Sequence, residues 1–332
     1  MSVPVIDVHT HMLSDEYLKF LAEKGAPLYT IADAESIAGI KPTISKNGAP
    51  FLQVLDEMMD FDIRIKNLDI AKVDISIMSL TCPNALFGSR EDSLTVARMM
   101  NDRYAQAQRA YPDRLRWYAT LPWQYPEDAV AELERAVGIG AVGVVVIGNL
   151  EGEHLIDPRF DPIWSAIDKL GLPVQIHPAI PPGVSEMQMD KWHLGSSNGF
   201  LFDTTLALSK MIMSGFFDTY PNLKIIGLHG GGTIPYLIGR LDRCWEAVPS
   251  AREKISAPPS TYLSRFYVDS VVYRIQALQL AVAEMGDDNV LYGSDYPHSI
   301  GDMAGVLSRV NMLNMTARNK ICGLNAMKLF KL

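Results

Sequence analysis

The chain has little sulfur chemistry to offer: its three cysteines, Cys82, Cys244 and Cys322, lie far apart and form no Cys-x-x-Cys pair. An odd, scattered set excludes a disulfide framework and fits a reducing compartment, with buried thiols as the simplest role. Positive charge is also short. With 30 Lys and Arg against 38 Asp and Glu, the formal net charge is −8 and no basic cluster interrupts it. That balance excludes a nucleic-acid surface. The longest apolar run, around residues 142–147, is far too short to cross a bilayer, so no membrane partner is expected. No basic stretch followed by an apolar one precedes the first apolar segment, and a cytoplasmic location is therefore expected. A Gly-x-Gly-x-x-Gly after that segment is missing too, which removes support for a dinucleotide site. Linkers, low-complexity tracts and internal repeats are absent, so residues 1–332 are expected to form a single domain.

What is present is a regular alternation. Short β-branched runs are predicted as strands over residues 5–11, 73–80, 115–121, 142–147, 172–177, 222–229, 265–269 and 289–295. Helical patterns separate them, clearest over 92–111, 126–137, 162–170 and 316–330. Eight apolar strands alternating with helices imply parallel crossovers covered on both faces. A (β/α)₈ TIM barrel, an α/β fold, uses all eight, with a doubly wound open sheet as the alternative. Two stretches exceed ordinary connections: a small insertion region over 13–60 after strand one, and a Pro/Gly/Ser/Met-rich loop over 178–199. Both follow strand C-terminal ends, where barrel enzymes build substrate loops.

The strand endings carry the chemistry. Strand one ends Asp7-Val8-His9-Thr10-His11, and residues i and i+2 of a strand share a face. His9 and His11 can thus aim two imidazoles at one point, with Asp7 on the same side. Strand five ends in His177, strand six in His229-Gly230-Gly231-Gly232, and strand eight in Ser294-Asp295-Tyr296-Pro297-His298. One histidine at a strand end is often only a hydrogen-bonded rim residue; five such groups at four strand ends are expected to converge. His9, His11, His177 and Asp295 give three nitrogens and a carboxylate, a set suited to one Zn²⁺, with Mn²⁺ or Fe²⁺ also acceptable. Strand four runs out into Ile147-Gly148-Asn149-Leu150 without a bridging lysine, so a mononuclear site is expected. His229 is placed as a general acid/base. The glycines behind it allow close approach to a ligand, or serve only as a tight strand-to-helix junction. Arg240 either binds a substrate carboxylate or pairs with a surface acid such as Asp242.

Together these motifs resemble the amidohydrolase superfamily, and within it the branch of aminocarboxymuconate semialdehyde decarboxylase and related metal-dependent decarboxylases. The resemblance spans the chain and is densest from Met211 through Tyr220-Pro221-Asn222-Leu223-Lys224 and His229-Gly-Gly-Gly to Gly239-Arg240. It implies the barrel, a mononuclear zinc site, a homodimer, and non-oxidative loss of CO₂ from an oxygenated aromatic or unsaturated carboxylic acid. It also implies that His9, His11, His177 and Asp295 are the ligands and His229 the acid/base. By the same resemblance Arg240 reaches the neighbouring subunit's site, and Lys46 is a substrate-loop lysine. Two departures stand out: Leu52 falls where the family enzyme, aligned on Phe51 and Arg64-Ile65, carries a second carboxylate-binding arginine, and His298 stands where it has phenylalanine. A small monocarboxylic acid is the expected substrate. A hydrolase or hydratase using the same metal on a lactone, amide or C=C bond, and a non-catalytic metal-binding barrel, are the competing readings.

Overall fold

A computed structural model describes residues 3–36 and 39–332, so Met1, Ser2, Ile37 and Ala38, the last two within the predicted insertion, lie outside the described residues. Eight parallel strands follow one another around a barrel: β1 (Ile6–His11), β2 (Ile75–Ser79), β3 (Leu115–Thr120), β4 (Gly143–Ile147), β5 (Pro173–His177), β6 (Lys224–Gly227), β7 (Phe266–Asp269) and β8 (Val290–Leu291). All eight predicted strands are present. The ring is drawn together where β1 meets the segment after β8, through Val8 N to Tyr292 O (3.0 Å), Asp295 N to His9 O (2.9 Å) and His11 N to Tyr296 O (2.7 Å).

Two layers of apolar packing explain the near-continuous hydrophobicity of the strands. Inside, Ile6, Val8, Ile77, Tyr118, Val145, Ile226 and Leu291 pack with Leu329 and Phe330 of the C-terminal helix. Outside, a larger cluster fills the space between the strands and the surrounding helices. The barrel is therefore filled below its C-terminal rim, and only the rim is available for chemistry.

The predicted insertion is more ordered than its weak periodicity suggests. Ser14 caps a helix over Asp15–Lys24, accepting from Tyr17 N. Three antiparallel strands follow, Tyr29–Ser36, Gly39–Lys46 and Ala49–Gln53. Asn47 and Gly48, at φ 51° and 79°, turn the second strand into the third, as Asn-Gly does in tight hairpins.

Candidate metal centre and active site

A bulge in β1 sets the site. Asp7 lies opposite Ser76 and Thr10 opposite Met78, so Val8 and His9 together face one residue of β2. The alternation resets there: Ile6 and Val8 join the interior cluster, and His9 and His11 reach the rim. Asp7, expected beside the histidines, is instead a support. Its carboxylate accepts from Ser294 N (3.1 Å), Ser294 Oγ (2.5 Å) and His9 N (3.1 Å), and burial pushes its pKa up to about 7.

Candidate ligand atoms of His9, His11, His177 and Asp295 all lie within 4.8 Å of one another, and all four residues are buried. The Nε2 atoms of His9 and His11 are 3.1 Å apart, and Asp295 Oδ1 is 3.2 Å from each. Each imidazole has its other nitrogen engaged: His9 Nδ1 with Asp269 Oδ2 (2.6 Å), His11 Nδ1 with Ser79 Oγ (3.1 Å), and His177 Nδ1 with Pro178 O (2.8 Å). Outer partners of this kind fix the tautomer of a metal-binding histidine and turn the Nε2 lone pair inward. The donor set therefore fits one divalent cation.

The electrostatics point the same way. Burial alone would raise Asp295, but the charge of His9 and hydrogen bonds from His11 and His229 hold it well below the usual carboxylate range. Burial would depress His9, yet Asp295 and Asp269 outweigh it and push it up to about 10. Burial takes His11 down to about 3 and His177 well below its ordinary value. The same two carboxylates that favour a proton on His9 would favour a cation held among the imidazoles, whose binding would release that proton.

Asp269, at the end of β7, was not singled out by the sequence. Besides His9 it accepts from Gly230 N (2.7 Å) and Val271 N (3.1 Å), so it joins β1 to the turn that carries His229. Replacing Asp269 by Asn should weaken metal affinity by about 10–100-fold, read by metal titration with the far-UV spectrum unchanged. Unaltered affinity would contradict its role in orienting His9.

His229 follows β6 in left-handed backbone (φ 54°, ψ 51°). A Cβ on Gly232 (φ 63°) would stand 2.5 Å from Leu201 O, so the junction needs its glycines for packing as well as for turning. The turn leaves His229 Nε2 3.5 Å from Asp295 Oδ2, and its Nδ1 is buried without a partner among the described residues. His298 lies beyond His11, ring centroids 4.7 Å apart, with Nε2 3.2 Å from Thr81 Oγ1. Behind β1 the buried Arg64 guanidinium donates to His11 O and to Ser76 Oγ (3.2 Å) and covers the Tyr296 ring at 4.9 Å. Asp203, on the helix Phe200–Met213, ties the exits of β4 and β5 by accepting from Asn149 Nδ2 and Ala179 N, each 2.8 Å away.

Two predicted residues stand apart from the cage. Lys46 is paired with Glu151 at 2.8 Å. Arg240 is exposed on the helix Ile234–Ala247, and Asp242, its alternative partner, accepts instead from Ser260 N at 2.8 Å. A cavity of about 560 Å³ lined by Lys169, Lys224, Arg265 and Lys331 opens at the strands' N-terminal ends. It holds none of the cage residues, and the chemistry lies at the other rim.

The amidohydrolase family model matches residues 6–332. The 2-amino-3-carboxymuconate-6-semialdehyde decarboxylase of Dictyostelium discoideum is 32% identical over 330 residues, covering 97% of this chain and 90% of its own length. The gamma-resorcylate decarboxylase of Rhizobium radiobacter is 31% identical over 284 residues, 82% of this chain and 87% of its own. Among solved structures, a dihydroxybenzoic acid decarboxylase from Polaromonas sp. JS666, with bound manganese and the inhibitor 2-nitroresorcinol, superposes with a TM-score of 0.81. That chain is 26% identical, and the match covers 100% of this chain and 98% of that one.

Proposed function

The chain belongs to the amidohydrolase family, and on that premise we propose that it is a metal-dependent carboxy-lyase, removing CO₂ non-oxidatively from an oxygenated aromatic or unsaturated carboxylic acid. The observation that carries this reading is the buried three-histidine, one-aspartate cage with a fourth histidine, His229, facing its carboxylate. The named relatives, all decarboxylases, support the reaction class.

His9, His11, His177 and Asp295 would hold one divalent cation, whose charge binds and polarises the oxygens of an anionic substrate. The donor set takes Zn²⁺ or Mn²⁺ alike, and the manganese of the Polaromonas structure favours loading Mn²⁺ first. Loss of CO₂ leaves an electron pair on carbon that a proton has to take up. His229 Nε2 is the atom we assign to deliver it, with the anionic Asp295 Oδ2 at 3.5 Å as the acceptor that orients the ring. Asp269 fixes His9, and Gly230 N on the same carboxylate ties His229's turn to the cage. Because Tyr118, Val145 and Ile226 fill the barrel below, substrate enters from the rim, where His298 and Thr81 would meet its ring substituents.

Arg240 is proposed to act from a second copy of the chain, as its exposure on a helix flank allows, so a homodimer is the working state. Among the described residues no helix is long and apolar enough to cross a membrane, and with sparse cysteines we assign a cytoplasmic location.

The test is to incubate Mn²⁺-loaded protein with a panel of hydroxybenzoates and muconate-type acids, measuring CO₂ and the decarboxylated product. CO₂ from at least one member is expected. Hydrolysis of lactones or amides, with no CO₂ from any acid, would replace this reading with the hydrolase one.

A further inference from the structure

We propose that Glu151 is a specificity-determining residue that restricts this site to acids with a single anionic group, by neutralising Lys46. The inference rests on the proposed function for what the site binds, but not for how its charges are arranged. Lys46 ends the second strand of the insertion, and its Nζ lies 2.8 and 3.0 Å from the two Glu151 oxygens. Tyr29 donates its hydroxyl to the same carboxylate at 2.9 Å, and the ammonium stands 5.6 Å over the Tyr29 ring. Glu151 adopts left-handed backbone (φ 54°) in the turn after β4. The pair is not an open surface bridge, since the side chains are only 21% and 33% exposed.

Its position matters because Glu151 follows β4 at the rim that carries the cage, although neither residue belongs to the four-residue cluster. The β4 exit is tied to that of β5: Glu151 lies two residues beyond Asn149, whose amide donates to Asp203, and Asp203 also accepts from the backbone of Ala179, two residues beyond His177. Neither Arg64 nor Arg240 offers its charge to a second carboxylate from within the same chain. Arg64 is buried behind His11, and Arg240 is exposed on a helix flank. Leu52, opposite Ile44 on the neighbouring strand, is an apolar packing residue. A substrate's first carboxylate is met by the cage. A second one entering along the insertion wall would meet a spent lysine and the Glu151 charge, and leaving a desolvated anion unpaired is costly.

The experiment measures, by calorimetry on Mn²⁺-loaded protein, dissociation constants for benzoate and for benzene-1,3-dicarboxylate. The dicarboxylate is expected to bind the unmodified chain at least about tenfold more weakly, the cost of an unpaired charge near a like one. Glu151→Gln should narrow that ratio by about fivefold or more, by freeing a half-buried ammonium. Lys46→Met should widen it, and the double variant should lose the Glu151→Gln gain. Opposite movements in two folded variants guard against a folding artefact. A ratio that neither single variant moves, or equal binding of both acids by the unmodified chain, overturns the inference. Failure of the whole acid panel to release CO₂ while the ratio moves as stated would overturn the decarboxylase reading and leave the charge rule standing.

Discussion

Asp295→Asn is expected to lower turnover by about 10³-fold or more without unfolding the protein. The carboxylate is one of four converging donors and lies 3.2 Å from two imidazole nitrogens, so the amide removes the only anionic member of the cage. It also removes the acceptor that His229 Nε2 faces at 3.5 Å, and combined loss of charge and of an acid/base partner accounts for the size. The fold should survive, because Asp295 sits at φ 62°, a conformation Asn tolerates, and its backbone N–H to His9 O is untouched. Turnover and metal content measured together decide the matter. A variant within tenfold of the parent would remove Asp295 from the mechanism.

His229→Asn should cost about 10²–10⁴-fold in turnover, the range for loss of a positioned acid/base group. Here metal content should stay as it was, because His229 is outside the cage. Asn again suits the left-handed backbone at φ 54° and does not disturb Gly230 N on Asp269. This split separates the two roles. If the variant loses metal, His229 is a ligand, and if it keeps full turnover, the proton reaches carbon from elsewhere.

Much of the site was legible because ligands must sit at strand ends and the residue types are distinctive. The His9-Thr10-His11 pair, His177 and Asp295 were each readable in this way, and the structure brings them together within 4.8 Å. Their supports were not. An aspartate closing a strand looks like any strand terminus, so Asp269 carried no signal until its carboxylate was seen on His9 Nδ1. The bulge that releases Asp7 from the cage depends on pairing with β2, which no local pattern in β1 encodes. The eighth strand, expected to run to Asp295, ends at Leu291 because the next residues turn into a loop pinned by Ser294 on Asp7. In the insertion, the Asn47-Gly48 hairpin signal lay within a segment without clear alternation. The partner of Lys46 lies 105 residues away, a tertiary fact no local reading supplies.

His9, His11, His177 and Asp295 are proposed to hold one divalent cation on which loss of CO₂ depends. The most direct measurement strips the protein of metal, restores Mn²⁺ in steps, and records bound metal and CO₂ release from the best acid of the panel at each step. No release is expected from stripped protein, followed by a linear rise that stops at one metal per chain. CO₂ release that is indifferent to metal, or a plateau at two, would contradict it.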